Sequence, residues 1–300
     1  MSRSLDRLSL LATFVRIAER GSISAAARDL GLSQASASRH LSELETRLGT
    51  VLIERTTHSL SLTEAGDSAL EEARDLLNGW SSLTERFDDS SDLSGTLRVV
   101  APIALGQRHL IDATLDWQRA NPSLQINWQL DDSELNLAET GADVWIRIGR
   151  PRDDRLVIRD LVGVERLVAD KPDLVEPVAT RDPRSLEQLP AVSLLPFEGN
   201  QLPLTHKNGS IVSVRANSRF VTNNIFAALN AVKKGLGYAI IPRWLIADEL
   251  KAGTLIDVLS DWRAPTLTIT ACYLPSRRQS RALNAFLEIA HTGLLDLVDT

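Results

Sequence analysis

Apolar residues recur every three or four positions through residues 5–87, and in alternation or short runs beyond them. Leu8, Leu11, Val15 and Ala18 predict a helix over 5–19 that Gly21 ends. Ser22 is suited to cap a short second helix, Ile23–Leu30, closed by Gly31. Ser33 caps a third, whose apolar stripe is Ala37, Leu41, Leu44 and Leu48, ended by Gly49. Two helices joined by a short turn containing glycine form a helix-turn-helix pattern, which an ordinary αα-hairpin shares. Val51–Ile53 and Ser59–Leu62 predict two short strands around a polar turn, a wing after the third helix. Thr63 then caps a long helix with Glu64 in its first turn. Gly66, Ala69, Ala73, Leu76, Trp80, Leu83 and Phe87 alternate in steps of three and four along it. That heptad seam suits pairing with a second chain, and packing on the protein's own body is the alternative. Gly79 weakens the helix locally.

The stretch DDSSDLSG at 88–95 is polar and helix-breaking, and predicts a linker. Strands then alternate with helices. TLRVVAP (96–102), LQINWQL (124–130), ADVWIRIG (142–149), YAIIP and TLTITACYL (266–274) predict strands. Gly106–Ala120, Asp132–Glu139, Asn223–Lys234, Trp244–Lys251 and Ser280–Ile289 predict helices. This is α/β architecture, long enough for two subdomains around a cleft, without an internal repeat.

A length of 300 residues, with 43% hydrophobic and 24% charged, describes a globular chain with room for two or three domains. No apolar run is long enough for a membrane span. The N-terminal apolar face is broken by Arg16, Glu19 and Arg20, which disfavours a signal peptide. Cys272 is the single cysteine, so no internal disulfide forms, and these features together favour the cytoplasm. The net charge of −6 is uneven: residues 1–66 hold 8 Arg/Lys against 7 Asp/Glu, the remainder 25 against 32. Any basic surface for nucleic acid is therefore local to the first segment. His40, His58, His109, His206 and His291 are scattered without metal-ligand spacing. With no nucleophile elbow or phosphate loop, an enzyme, a metal site and a cofactor are not expected.

The stretch GSISAAARDLGLSQASASRHLSELETRLGTVLIERTTHSLSLTEAG resembles the winged-helix domain of LysR-type transcriptional regulators. The resemblance rests on the AAA-x-x-LG-x-SQ core, Ser38-Arg39, Leu44-Glu45, Leu48-Gly49, Arg55 and Leu62-Thr63-x-Ala65-Gly66. APIALG (101–106), IRIG (146–149), GLG (235–237), DWRAP (261–265) and YLPSRR (273–278) are similar to signatures of that family's effector-binding half, so it covers nearly the whole chain. It implies a winged helix-turn-helix domain at 1–63, a dimerising coiled-coil helix at 64–89 and an effector-binding domain at 90–300. The last would have the two-subdomain α/β fold of type 2 periplasmic-binding proteins, with subdomain one at 95–163 and 269–300 and subdomain two at 164–268. The chain would cross between them near Leu161–Arg166 and Thr266–Thr270. Implied partners are an inverted-repeat DNA operator, further copies of the chain as dimer or tetramer, a small-molecule effector, and RNA polymerase if the protein activates. A solute-binding module with a vestigial DNA-binding domain is the competing reading.

In the DNA-binding reading the third helix enters the major groove by its N-terminal end. Gln34 is suited to adenine and Arg39 to guanine or phosphate. Ser33 and Ser36 offer hydroxyls, Ala35 can meet a thymine methyl, and Ser38 faces either the groove or helix two. Arg55, Thr56, Thr57 and His58 form the wing, where the family commonly has arginine at the position of His58. A histidine there is mostly neutral at pH 7. The terminus capped by Thr63 can face a phosphate. Expected dimer contacts are Ala69, Ala73, Leu76, Trp80, Leu83 and Phe87. Expected effector contacts are Pro102, Ile103, Ala104 and Leu105, with Asn223 and Asn224, one of which caps a helix. Phe197 and Gln201 are further candidates in the second subdomain. Arg147 faces the cleft or forms a structural salt bridge, and Trp145 narrows the pocket, stacks on a ligand or belongs to the core. Ala104 replaces a serine common in the resembling subgroup, which shifts the expected effector away from anions.

Overall fold

The computed structural model describes residues 6–55, 60–87, 93–175, 182–197, 201–277 and 280–297. They fall into two compact units, one drawn from 1–93, 135–143 and 274–284, the other from 94–134, 144–273 and 285–300. In the first unit, α1 (Arg7–Arg20) is capped by Asp6, and α2 (Ile23–Asp29) by Ser22, whose hydroxyl accepts from Ala25 N–H. Gly31 takes φ +65 in the turn that leads to α3 (Gln34–Leu48), a conformation that side chains with a Cβ resist. Leu10, Phe14, Ile17, Ala26, Leu41, Leu44 and Leu52 form the core between these helices. Fully burying each large apolar side chain is worth about 1.5–3 kcal/mol. Leu48, expected on the buried stripe, is 52% exposed, while His40 is buried with its Nδ1 2.8 Å from Thr13 Oγ1. The polar pair satisfies itself, so histidine can hold an interior place.

The wing strands are β1 (Ile53–Arg55) and β2 (Leu60–Leu62), antiparallel with Ile53 opposite Leu62. The first lies two residues later than the pattern predicts, because Glu45 Oε1 accepts from Leu52 N–H (3.0 Å) and Ile53 N–H (3.2 Å), fixing the entry. The long helix α4 (Glu64–Phe87) starts in close contact with this core. A Cβ at Gly66 would overlap the Leu52 carbonyl oxygen. Ala73 is buried, and Ala69, Leu70 and Leu77 pack against the same core. The seam expected from 66 to 87 is therefore divided along its length. Ala69 and Ala73 meet the protein's own body, whereas Leu76, Trp80 and Leu83 stay 59%, 51% and 45% exposed. Arg74 Nη2 reaches Glu19 on α1 at 3.5 Å, and its guanidinium lies against Gly141, where a side chain would collide. Asp143 and Arg277 form a buried ion pair in the same unit.

The chain continues as β3 (Gly95–Ala101), α5 (Ile103–Arg108), α6 (Ile111–Ala120), β4 (Leu124–Leu130), α7 (Leu137–Thr140), β5 (Val144–Ile148) and β6 (Val157–Val164). There follow β7 (Arg166–Asp170), α8 (Pro172–Val175), β8 (Pro190–Leu194), β9 (Gln201–His206), β10 (Ile211–Arg215), β11 (Asn217–Thr222) and α9 (Ile225–Lys233). Last come β12 (Ala239–Pro242), α10 (Ala247–Ala252), β13 (Ile256–Asp257), β14 (Trp262–Arg263), β15 (Leu267–Tyr273) and α11 (Arg281–Leu295). One lobe of the second unit is a five-stranded sheet in the order β4-β3-β5-β15-β6. Its inner strand β3 is parallel to β4 and β5 and buried at Val99, Val100 and Ala101, as a strand covered on both faces should be. The other lobe holds the sheets β12-β7-β13, β11-β8 and β10-β9-β14. The chain passes from the first lobe to the second at Glu165 and returns at 264–266. Arg166 clamps the passages together, its guanidinium donating to Pro265 O at 3.1 and 2.9 Å.

Three predicted helices are changed. The helix over 106–120 begins earlier, at Ile103, and breaks at His109 and Leu110 between α5 and α6. Of Asp132–Glu139 only the end of the segment is helical, because Asp131 and Asp132 turn their carboxylates onto the N–H groups of Ser133 and Ile103. Trp244 sits in a 3₁₀ turn, Arg243–Ile246, and α10 starts after it. Strands β6 to β11 were not among those the pattern predicts.

Candidate nucleic-acid interface and ligand cleft

Helix α3 presents an exposed line of Ala35, Arg39, Ser42 and Thr46, opposite its buried Ala37, Leu41 and Leu44. Ser33 caps the helix, its Oγ accepting from Ser36 N–H at 3.1 Å and lying 2.9 Å from Ser36 Oγ. Arg39 Nη2 reaches Ser36 Oγ at 3.5 Å, so Ser33, Ser36 and Arg39 form one polar chain along the helix start. Gln34 is exposed beside them and Ser38 is half-buried. Ser33, Gln34, Ala35, Ser36, Ser38 and Arg39 are thus gathered at one helix end, and Arg39 holds its charge in the open.

Arg55 ends β1, and Thr56, Thr57 and His58 lie outside the described residues. Thr63 is committed inward: its hydroxyl donates to Val51 O at 2.7 Å and accepts from Gly66 N–H at 2.9 Å. These bonds fix the start of α4, the terminus expected to face a phosphate. Behind α3 the residues Ser42, Thr46, Thr50, Thr63 and Glu64 line an open hollow of about 800 Å³. The pattern of the chain gave no sign of it, because it is built from two helix ends distant in sequence.

In the second unit, Pro102, Ala104 and Leu105 are buried and Ile103 is half-buried at the start of α5. Ile103 N–H donates to Asp132 Oδ1 at 2.9 Å. Asn224 caps α9, its Oδ1 accepting from Phe226 N–H (3.1 Å) and Ala227 N–H (3.0 Å). Asn223 is exposed in the preceding bend. Asp132 keeps surface open to solvent, yet the atoms around it strip enough water to push its carboxyl above the usual range, with the charge of Asp131 adding to the effect. Asp132 was absent from the expected contacts, and its place in a stretch predicted as helix hid it.

Other expected contacts resolve into structure. Trp145 is 3% exposed and belongs to the core. Arg147 stacks over it at 4.5 Å and forks onto Glu134 at 2.8 and 3.1 Å, which is the structural salt bridge. Gln201 is not brought to the α5–α9 junction: it stands exposed on β9, its amide oxygen accepting from Ser213 Oγ at 2.8 Å. Phe197 is half-buried in the turn after β8. Arg108 lies 5.7 Å over the Phe226 ring, and His109 meets Trp244 edge-on at 4.6 Å. Burial, then the Arg108 charge, lowers the His109 pKa, which favours the neutral ring. No group of His, Cys, Asp and Glu able to hold a metal ion occurs among the described residues, and no helix there is long and apolar enough to cross a membrane.

A helix-turn-helix with a wing, a long helix and a two-lobed α/β unit make up the architecture of a helix-turn-helix regulator with an appended α/β domain. Residues 8–67 match the model of the bacterial regulatory helix-turn-helix protein, lysR family, and residues 90–294 match the LysR substrate binding domain. The chain belongs to the LysR family of transcriptional regulators. It is 29% identical over 295 residues to the HTH-type transcriptional regulator PtxR of Pseudomonas aeruginosa, spanning 96% of this chain and 95% of the relative. It is 28% identical over 271 residues to the HTH-type transcriptional activator AaeR of Escherichia coli, spanning 90% of this chain and 88% of the relative. The full-length virulence activator AphB of Vibrio cholerae, a member of the LTTR protein family, superposes with a TM-score of 0.57 at 26% identity, over 95% of this chain and 98% of that one. A full-length OxyR of Pseudomonas aeruginosa shares the fold at 17% identity, with a TM-score of 0.71 over 96% and 95% of the two chains. The relatives are named regulators, not enzymes.

Proposed function

We propose that the protein binds an inverted-repeat operator as a dimer or higher oligomer, tuned by a small molecule held between the two lobes. The observation that carries the reading is α4, whose start is locked to the DNA-binding core while Leu76, Trp80 and Leu83 remain exposed further along. Pairing through that stripe brings two α3 helices to two half-sites about one or more helical turns apart. Gln34 and Arg39 then read base edges, Ala35 meets a thymine methyl, and Ser33, Ser36 and Ser38 serve phosphates or base edges. Arg55 and the wing residues Thr56, Thr57 and His58 approach the backbone, with His58 a weaker phosphate partner than arginine. A site with few readers per helix depends on the second copy for its specificity.

The domain plan that goes with this is a winged helix-turn-helix over 1–63, the pairing helix over 64–89 and the effector domain over 90–300, working in the cytoplasm. The effector lies where α5 faces the start of α9, beside Ile103, Ala104, Asn223 and Asn224, and an activating role would bring RNA polymerase as a further partner. Ala104 lacks a hydroxyl, which favours a neutral or aromatic effector over an anion. Genome-wide footprinting with purified protein tests the reading. Palindromic footprints are expected, and binding without sequence preference would remove it.

A further inference from the structure

Thr13 on α1 and His40 on α3 lie in the interior of the first unit, 1% and 9% exposed. The Thr13 hydroxyl is 2.7 Å from Ser9 O and 2.8 Å from His40 Nδ1. A carbonyl oxygen can only accept, so the single hydroxyl proton goes to Ser9 O. The proton between Thr13 Oγ1 and His40 Nδ1 must then come from the ring, which fixes the imidazole with hydrogen on Nδ1. Beside the pair, Leu10, Phe14 and Ile17 of α1 share a core with Leu41 and Leu44 of α3. Apolar burial is non-directional. It holds the two helices together but tolerates small rotations of α3 about its own axis.

We propose that His40 is a positioning residue for base reading: its bond to Thr13 sets the rotation of α3 and so aims Gln34 and Arg39. The inference rests on α3 being the reading helix. One buried directional bond inside an apolar interface is a known means of fixing register. His40 directly follows Arg39, so the bond is made where the aim matters. At a radius of about 6 Å from the helix axis, a turn of about 20° carries a side chain through about 2 Å. That is enough to break a hydrogen bond, which needs a separation of about 2.7–3.2 Å. The same bond reaches further through α1. Phe14 and Ile17 share their core with Ala73 of α4, and Glu19 meets Arg74 at 3.5 Å. The reading helix is thereby tied, through α1, to the helix proposed to pair.

The test uses the full-length protein in its parent form and as Thr13→Val, Thr13→Ser and the double variant Thr13→Val with His40→Leu. Each selects from a pool of random-sequence duplexes, and gel-shift titration compares the parent's enriched sequence with unselected duplex. Thr13→Val keeps the side-chain shape and removes the hydroxyl. It is expected to lower the preference by about tenfold or more, the loss of one base contact. Thr13→Ser should keep the parent's preference. The double variant replaces both polar partners by apolar ones, so stability in urea returns while the directional bond does not. Its preference should stay low, whereas a merely structural role predicts that preference returns with stability. Long-range nitrogen–proton correlations of isotope-labelled histidine read the ring itself, with the His40 signal identified by its loss in the double variant. Hydrogen on Nδ1 is expected in the parent. Should Thr13→Val fail to fold, the double variant, in which neither partner is left unpaired, decides. Undiminished preference in the double variant, or a parent ring with hydrogen on Nε2 alone, overturns the inference. A parent that enriches no sequence refutes base reading by α3 and takes the inference with it, while variants that keep the parent's preference refute the inference alone.

Discussion

Trp80→Ala tests the pairing of α4 where the structure gives a magnitude. The side chain is 51% exposed in the single chain, and a tryptophan carries an area on the order of 200 Å². Covering that half on dimerisation removes roughly 100 Å² of apolar surface from water, worth about 2.5 kcal/mol per copy at 25 cal/mol per Å². Alanine retains a small part, leaving a loss of about 2 kcal/mol per copy and about 4 per dimer. Rigid-body entropy cancels between the two proteins, so the dimer dissociation constant should rise by two to three orders of magnitude, roughly tenfold per 1.4 kcal/mol. Alanine has the highest helix propensity, so the single chain keeps α4. Sedimentation equilibrium over a dilution series reads the constant, and circular dichroism checks the helix. A change below tenfold with the helix intact would refute pairing through Leu76, Trp80 and Leu83.

Arg39→Ala should cost about 1–3 kcal/mol in operator affinity and relax preference at one base step, read by gel-shift titration on matched and substituted sites. Equal binding of both proteins would exclude Arg39 as a reader. Gly66→Ala should destabilise the DNA-binding unit by about 1–3 kcal/mol, since the new methyl meets a backbone carbonyl that cannot move aside cheaply, as urea denaturation would show. Asp170 is 1% exposed, and burial pushes its carboxyl up to about 6. A folded pKa above the unfolded value of about 3.9 gives stability that is complete below pH 4 and lost as pH rises through 6. Asp170→Asn should therefore match the parent near pH 4 and exceed it by up to about 3 kcal/mol at pH 7.5. A stability difference that stays constant from pH 4 to 7.5 would contradict the shift.

The helix-turn-helix is legible because its signals are local: Ser22 and Ser33 cap, Gly31 turns, and an apolar stripe repeats at helical spacing. His40 escapes that logic although it falls on the stripe, because its burial depends on Thr13, a partner 27 positions away. The seam on α4 is visible as a pattern, but what covers each part is decided by where the protein's own core stops. The strands from β6 to β11 are harder. Gln201–His206 does alternate, with Leu202 and Leu204 buried, yet Pro203 in its middle argues against a strand until the pairing with Ser213 is seen. The site in the second unit is legible to the level of α5 and Asn224. Asp132 is not, because its place is set by Ile103 N–H, a partner 29 positions away.

The anchoring of α4 by Gly66, Ala69 and Ala73 turns the helix into a lever fixed to the reading head. Its 24 residues span about 36 Å at 1.5 Å each. In a dimer paired as proposed, a change of about 10° in the angle at which two such levers cross shifts one recognition helix against the other by roughly 6 Å, close to two base-pair steps of about 3.4 Å. In that dimer, small adjustments far from the DNA would be enough to bring the two heads into or out of phase with a pair of half-sites.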